Sequence, residues 1–395
     1  MRIALFTDSW LPRVDGLTTS VAGFKARMEA RGHTFHVFAP GPRRESGPEE
    51  TRYKGIPFWG YRDFHIAIRP GQHDTARLVK EGGFDLVHIQ SPFLVGYRGL
   101  RAARKAGLPV VTSYHTYLPD LVPYVVPPGF RAITKSLVWR FTGHFFRRCD
   151  AVLVPSPSCA KELLDHVPGH KIPNLEVHPN GVDVHRFRPL PPDPAVRRRL
   201  GPDGSRVILS VGRLAREKDL PFLVEAFAAA RQKDPTLHLA IGGKGPDLAR
   251  VEAKVAELGV GPHVTFLGFV ADSDLPIVYA NADGFCSASQ FETQGMTAVE
   301  AMACGVPVAA VRARGLADYV LDGRTGYLFE ADDVAGAASA LLRCVDAGPS
   351  MRKAARAHAE TISLEKSVDQ LEAVYRRAVA SGPRRASAQA AAASA

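Results

Sequence analysis

Short runs of consecutive apolar, often β-branched residues alternate along the chain with longer stretches whose apolar positions recur every three or four residues. The first pattern suits a strand buried on both faces, the second a helix with one apolar side. In the first half the strand-like runs are Ile3–Phe6, Phe35–Phe38, Leu86–Ile89, Val110–Thr112 and Ala151–Val154. In the second they are Val207–Val211, Leu237–Ile241, Val264–Leu267, Gly284–Cys286 and Val306–Ala309. Such alternation predicts βαβ units and parallel sheets. Between the two sets stands Phe187-Arg188-Pro189-Leu190-Pro191-Pro192-Asp193-Pro194, whose prolines remove backbone donors and fix φ, so it reads as a linker. The expected layout is α/β: a Rossmann-like domain over 1–186, another over 187–363, a helix over 364–380, and an Ala/Ser-rich tail over 381–395 that is expected to be disordered.

Composition narrows the class without changing this layout. A chain of 395 residues, 46% apolar and 23% charged, is long enough for two or three ordinary globular domains. No run approaches the length of a membrane-spanning helix, and Ile3–Phe6 is too short for the apolar core of a signal peptide. The five cysteines (Cys149, Cys159, Cys286, Cys304, Cys344) are odd in number, with neither zinc nor disulfide spacing, which fits a reduced, cytoplasmic compartment. Charge is more telling. Residues 1–180 hold 24 Lys and Arg against 15 Asp and Glu, whereas residues 181–395 hold 26 against 25. An excess confined to one half suggests an anionic surface as partner, the alternative being a basic domain that is merely soluble. Nucleic acid has only net charge behind it, with no recognised motif, and is not expected as a partner.

The densest chemical signal is Phe291-Glu292-Thr293-Gln294-Gly295-Met296-Thr297-Ala298-Val299-Glu300. Met296 to Ala303 reads as a helix that Gly305 ends. Its N-terminus, with Gly295 beside it, offers bare amides to a diphosphate. Glu300, about two turns in, suits a vicinal diol such as a ribose, and Glu292 on the preceding loop suits a sugar hydroxyl. Both also have plain readings, as a complement to the helix dipole and as a solvated helix residue. Arg213 and Lys218 follow the first strand of the second half, where open α/β sheets bind ligands, and two cations there could neutralise a departing diphosphate without a metal. After the first strand of the chain, Gly16 would let backbone approach a phosphate just before a helix.

Taken in order, these residues resemble a GT-B-fold, retaining glycosyltransferase of family four, over roughly residues 1–380. The likeness rests on Pro12…Asp15-Gly16, His115-Thr116, Pro155-Ser156, Asn180-Gly181-Val182-Asp183, Gly212-Arg213…Lys218, Gly243…Gly245-Pro246, the Glu292…Glu300 pair and Ala301-Met302-Ala303-Cys304-Gly305-Val306-Pro307-Val308. It implies two Rossmann-like domains facing across a cleft, the C-terminal helix returning to the first. It also implies that Gly16 lies against the donor diphosphate and that Arg213 and Lys218 bind it from the other domain. Glu292 would contact the transferred hexose, backbone around Gln294, Gly295, Met296 and Thr297 the phosphates, and Glu300 the ribose. His115 resembles the family histidine beside the reacting sugar. The implied reaction attacks the same face that the diphosphate leaves, so His115, Arg213, Lys218 and Glu292 are the catalytic candidates. No metal or cofactor is expected, the nucleoside diphosphate sugar being a substrate. Within the family, Val87-His88-Ile89-Gln90-Ser91-Pro92-Phe93 and Ser113-Tyr114-His115-Thr116-Tyr117-Leu118-Pro119-Asp120 are similar to diacylglycerol glucosyltransferases. A lipid acceptor would fit the basic first half and a place on the inner face of the membrane. The donor that resemblance suggests is UDP-glucose.

Arg98, Arg101 and Lys105 fall within about 60° of one another at helical spacing, a basic face suited to phosphate headgroups or simply to water. Ile133–Phe146 mixes aromatic residues with Lys135 and Arg140 scattered round the helix, and core packing is the expected role. Asp272-Ser273-Asp274 has a metal-binding spacing, but it precedes Leu275-Pro276 and reads as helix capping. Gly242-Gly243-Lys244-Gly245 invites a nicotinamide site, yet Val37-Phe38-Ala39-Pro40-Gly41 lacks the ribose-binding acid that such a site wants after its second strand. Two other readings of the same fold are a transferase acting on a soluble sugar or polysaccharide and a nucleotide-sugar 2-epimerase.

Overall fold

The computed structural model describes residues 1–11, 16–41, 47–58, 61–67, 74–115, 117–122, 126–167 and 172–383. The expected readings at Pro12, Asp15, Thr116 and the tail from Arg384 fall outside those residues. The chain divides into two units, Met1–Pro179 with Glu365–Ala395, and Asn180–Leu364.

The first unit holds strands β1 (Arg2–Phe6), β2 (Thr34–Pro40), β3 (Glu50–Tyr53), β4 (Gly55–Phe58), β5 (Tyr61–Ala67), β6 (Leu86–Ile89), β7 (Val110–Ser113), β8 (Ala151–Val154) and β9 (Leu175–Val177). Seven of them form a sheet in the order β3-β2-β1-β6-β7-β8-β9, and β4 and β5 pair as a separate antiparallel hairpin. Every pair in the large sheet is parallel. The second unit holds β10 (Arg206–Val211), β11 (Leu237–Gly242), β12 (Val264–Gly268), β13 (Gly284–Ser287), β14 (Val308–Val311) and β15 (Gly326–Phe329), ordered β12-β11-β10-β13-β14-β15 and parallel throughout. Central strands such as β1, β8 and β14 carry continuous apolar runs because helices cover both faces of a parallel sheet.

Three expectations need correction. The ten strands expected from apolar runs are all present, but β3, β4, β5, β9 and β15 have no counterpart among them. Glu50-Thr51-Arg52-Tyr53 and Leu175-Glu176-Val177 are sheet edges and carry no continuous apolar run. The last of the ten begins at Val308 rather than Val306, since Pro307 has no N–H to give a ladder and instead accepts through its carbonyl from Phe285 N, at 2.9 Å. The crossing between units falls at Pro179/Asn180, ahead of the expected boundary at 186/187. Val182 N donates to Ile362 O at 3.0 Å and Leu364 N to Val182 O at 2.8 Å, which ties both chain crossings into the second unit. Phe187, expected to open a linker, is buried in that unit's core, and Asp193 caps the helix Pro194–Leu200 through Ala195 N and Val196 N.

The helix Leu364–Ser381 belongs, from Glu365 on, to the first unit. Val368, Leu371, Val374 and Tyr375 are buried, and the Tyr375 hydroxyl lies 2.6 Å from Nδ1 of His88 in β6. The other ring nitrogen of His88 lies 2.9 Å from Ser113 Oγ, and burial holds this imidazole well below its ordinary pKa. All five cysteines are free and buried. Among the described residues no helix is long and apolar enough to cross a membrane.

The helix Leu94–Ala106 sits close against β1 and β6 because two of its residues have no side chain. A Cβ on Gly96 would stand 1.9 Å from Ser91 O and 2.7 Å from Ile89 Cγ2, and one on Gly99 would stand 2.6 Å from the Phe6 ring. Asp8 anchors the first turn of that helix, accepting from Val95 N at 3.2 Å and from Ser91 Oγ at 2.6 Å. Gly96→Ala should therefore lower stability by about 1–3 kcal/mol, read as a fall in the urea midpoint with an unchanged slope. An unchanged midpoint would mean that the helix can ride outward without loss.

Candidate active site

In a parallel sheet the crevice lies where the strand order reverses, because the connections on its two sides leave in opposite directions. In the second unit that point is between β10 and β13. Arg213 and Lys218 leave the carboxyl end of β10, and the segment from Glu292 to Glu300 follows β13. Ser210, Gly212, Arg213, Lys218, Ser287 and Thr297 line one cavity there. The Lys218 ammonium pairs with the Glu292 carboxylate and the Arg213 guanidinium with Glu217. Both pairs are partly exposed and contribute little to stability.

Gly295 stands immediately before the helix Met296–Ala303 with φ +83, a conformation that favours glycine, and a Cβ there would meet Leu316 Cδ2 at 2.5 Å. The helix therefore begins sharply, and Gly295 has no side chain with which to cap its first amides. Thr297 reaches the cavity, whereas Met296 packs against the core. The Gln294 side chain is turned the other way. Its Oε1 accepts from Asn180 N at 2.7 Å and its Nε2 donates to Asn180 O at 2.9 Å, so it clamps the Asn180-Gly181 segment and leaves only backbone for a ligand. Glu300 accepts from the Tyr279 hydroxyl at 2.9 Å. Loss of water around it pushes its carboxyl up to about 7, against the lowering effect of the Tyr279 bond and of Arg186.

In the first unit the order reverses between β1 and β6. Gly16 opens the helix Gly16–Ala30 after β1, exposed and with no atom within 4 Å of where a Cβ would stand. His115 follows β7, its Nε2 lying 2.8 Å from Oε1 of Gln90 at the end of β6. Burial, with His178 adding a smaller push, takes its pKa down to about 3. The imidazole is therefore neutral across the physiological range and acts as a hydrogen-bonding group, not as a cation.

Two models of known families cover most of the chain: "Glycosyltransferase Family 4" matches residues 14–186 and "Glycosyl transferases group 1" matches residues 193–361. The alpha-monoglucosyldiacylglycerol synthase of Streptococcus pneumoniae is 31% identical over 89% of this chain and 80% of its own. A GDP-mannose-dependent alpha-mannosyltransferase of Mycolicibacterium smegmatis is 34% identical over 84% and 85%. The chain is a family 4, group 1 glycosyltransferase. Its fold is GT-B, matching the solved sucrose-phosphate synthase of Thermosynechococcus elongatus with a TM-score of 0.76 over 96% of this chain and 99% of that one, at 23% identity.

Several residues packed around this candidate site had no local signal. Tyr279 is recognisable only by its bond to Glu300, and Arg356 only by its three backbone acceptors. Its guanidinium donates to Val184 O at 3.0 Å, Phe187 O at 2.7 Å and Ala303 O at 2.8 Å, which fixes the carboxyl end of the site helix. Asp272 and Asp274 do not cap the next helix as expected. Asp274 makes no capping bond from its side chain to the helix Leu275–Ala280, and Asp272 pairs instead with Arg186 at 2.8 Å, leaving Pro276 as the only start signal in place. Among the described residues no group of three or more His, Cys, Asp or Glu side chains is placed to hold a metal.

The glycine-rich turn after β11 is a clasp on the Arg213 loop. A Cβ on Gly243 would stand 1.8 Å from Gly212 O and one on Gly245 2.0 Å from Leu214 O. The close approach allows Leu214 N to donate to Lys244 O and Asp247 N to Leu214 O, both at 3.0 Å. Gly245→Ala should displace the Arg213–Lys218 loop and lower turnover by about tenfold or more, while circular dichroism shows the sheet intact. Wild-type turnover would show that the clasp does not position these cations.

Proposed function

We propose that this glycosyltransferase moves a hexose, glucose in the first place, from a nucleoside diphosphate sugar, UDP-glucose in the first place, to a hydroxyl of diacylglycerol or a related membrane lipid, keeping the anomeric configuration. The observation that carries the donor reading is the convergence of Arg213, Lys218 and Thr297 on one cavity at the β10–β13 reversal, with Glu292 on Lys218 and Glu300 about one turn into the helix that Met296 opens. Two cations and the first amides of a helix suit a diphosphate, and a carboxylate set further back suits the ribose diol. The acceptor reading is supported by the name of the pneumococcal relative and by the motifs around Gln90 and His115.

In the proposed step the bond between the anomeric carbon and the diphosphate oxygen breaks as the acceptor oxygen bonds to the same face. The departing diphosphate takes the acceptor's proton. Arg213 and Lys218 stabilise the charge that develops on it, Glu292 orients the hexose, Glu300 holds the ribose, and His115 and Gly16 serve from the first unit as the family resemblance implies. No metal or cofactor is needed, since two fixed cations act where charge appears. A second reading, mannosyl transfer from GDP-mannose, is favoured by the mycobacterial relative, which shares more of its residues with this chain.

A donor-by-acceptor assay in EDTA tests both. Labelled UDP-glucose, UDP-galactose or GDP-mannose is offered with diacylglycerol in anionic micelles, and label from UDP-glucose is expected in the organic phase. Label from GDP-mannose alone would select the second reading, and nucleotide release without lipid label would reject this acceptor. Arg213→Ala should lower kcat by about 10²–10³-fold. Full activity in that variant would remove the role given to it.

Glu300 gives the donor site a pH dependence whose sign is fixed. A diol donates to the carboxylate, which the donor-free protein protonates as pH falls through about 7. Affinity for UDP-glucose should be full above that pH and weaken by up to about tenfold per unit below it. Calorimetric titration at several pH values checks this, and Glu300→Gln should bind more weakly with a flat profile.

A further inference from the structure

The helix Arg131–Phe146 was expected to be core, and only half of it is. Trp139, Thr142, Gly143 and Phe146 face inward and are buried. On the opposite side, at spacings of three, four and four residues, Phe130 is 66% exposed, Ile133 64%, Leu137 57% and Phe141 45%. At about 100° per residue these four fall within one arc about 80° wide, centred near Leu137. A helix that is apolar on two sides satisfies one of them with its own core, and the other lies open to water.

The charges beside this stripe identify what covers it. Arg148 continues the same arc past the helix end, with Arg140 and Arg147 along one flank, and all three are exposed. Residues 121–149 contain five Lys and Arg and no Asp or Glu. The Phe141 ring stacks on Tyr97 with centroids 6.3 Å apart, which joins the stripe to the helix Leu94–Ala106, where Leu94, Arg101 and Lys105 are exposed. Arg98, expected to share that basic face, lies over the Tyr53 ring instead. A second copy of this chain, docked by two-fold symmetry, would gather both sets of cations into one interface with no carboxylate of this stretch to offset them. An anionic bilayer accepts both features, apolar side chains at the acyl boundary and cations among the phosphates.

We propose that the outward face of the Arg131–Phe146 helix, continued by Leu94, Arg101 and Lys105, lies in the surface of an anionic membrane, with Ile133, Leu137 and Phe141 inserted below the headgroups. This deepens the lipid reading above by naming the surface and its mode of contact. Its test needs no acceptor, so the two can fail separately.

The protein is sedimented with vesicles of phosphatidylcholine alone or mixed with phosphatidylglycerol, neither containing diacylglycerol or donor. Binding is expected to the mixed vesicles, falling as salt is raised. Ile133→Glu with Leu137→Glu should weaken it by about tenfold or more without shifting the thermal midpoint, and Arg147→Ala with Arg148→Ala should weaken it mainly at low salt. In Leu137→Trp, brominated lipid should quench the added fluorescence, a readout that mere electrostatic adsorption does not give. Equal binding by the paired Glu variant, no quenching at position 137, or a concentration-dependent dimer that the Glu variant abolishes while the wild type ignores vesicles would each overturn the proposal. Failure of diacylglycerol to accept sugar would leave it standing.

Discussion

A strand in a parallel sheet can be followed only by a crossover that carries the chain back to the other end, and the crossover has one hand. Where the strand order reverses, two crossovers depart to opposite sides and no side chain of the sheet fills the gap. The rest of the second unit depends on that constraint. The loop after β10 and the segment after β13 meet there because they have nowhere else to go, and the six strands beneath them hold their ends in register. Polar chemistry then costs the core nothing, since Arg213, Lys218 and Glu292 stand on loops at its rim while Val207, Ile208, Leu209 and Phe285 remain wholly apolar below. What the crevice does require is close backbone approach, which is why Gly243, Gly245 and Gly295 each stand where a methyl group would collide.

Legibility in the sequence followed distance along the chain. Strands buried on both faces announce themselves as apolar runs, and candidate residues that directly follow such strands are read with them, as Arg213 follows β10. The polar edge strands β3 and β9 have no such signature. Contacts made between distant segments left none either. Gln294 serves Asn180, Tyr279 serves Glu300 and Arg356 serves Val184, Phe187 and Ala303, and in each case the partner lies many residues away with no period to connect them. Asp272 shows the opposite failure: a local pattern suited to capping was overridden by Arg186, a tertiary partner that no propensity records.

The helix Arg131–Phe146 misleads for a different physical reason. Hydrophobic periodicity reports how many sides of a helix avoid water, but not what each side meets instead. Two apolar sides sum to a weak pattern and resemble a fully enclosed helix, so Ile133 and Leu137 were indistinguishable from Trp139 and Phe146 until their exposure was known. The absence of carboxylates between Asp120 and Asp150 was visible throughout and is the better guide.

The first unit is built from both ends of the chain. Tyr375 closes over His88, 287 residues earlier, and Arg31 pairs with Asp369 at 2.7 Å. During synthesis from the N-terminus, the surface around His88 therefore waits for its cover until the whole second unit has left the ribosome. The continuous unit, Asn180–Leu364, can complete its core first, and doing so brings the start of the last helix beside Val182, which shortens the loop that Tyr375 must close. A chain ending before Tyr375 would for the same reason damage the half that was made first.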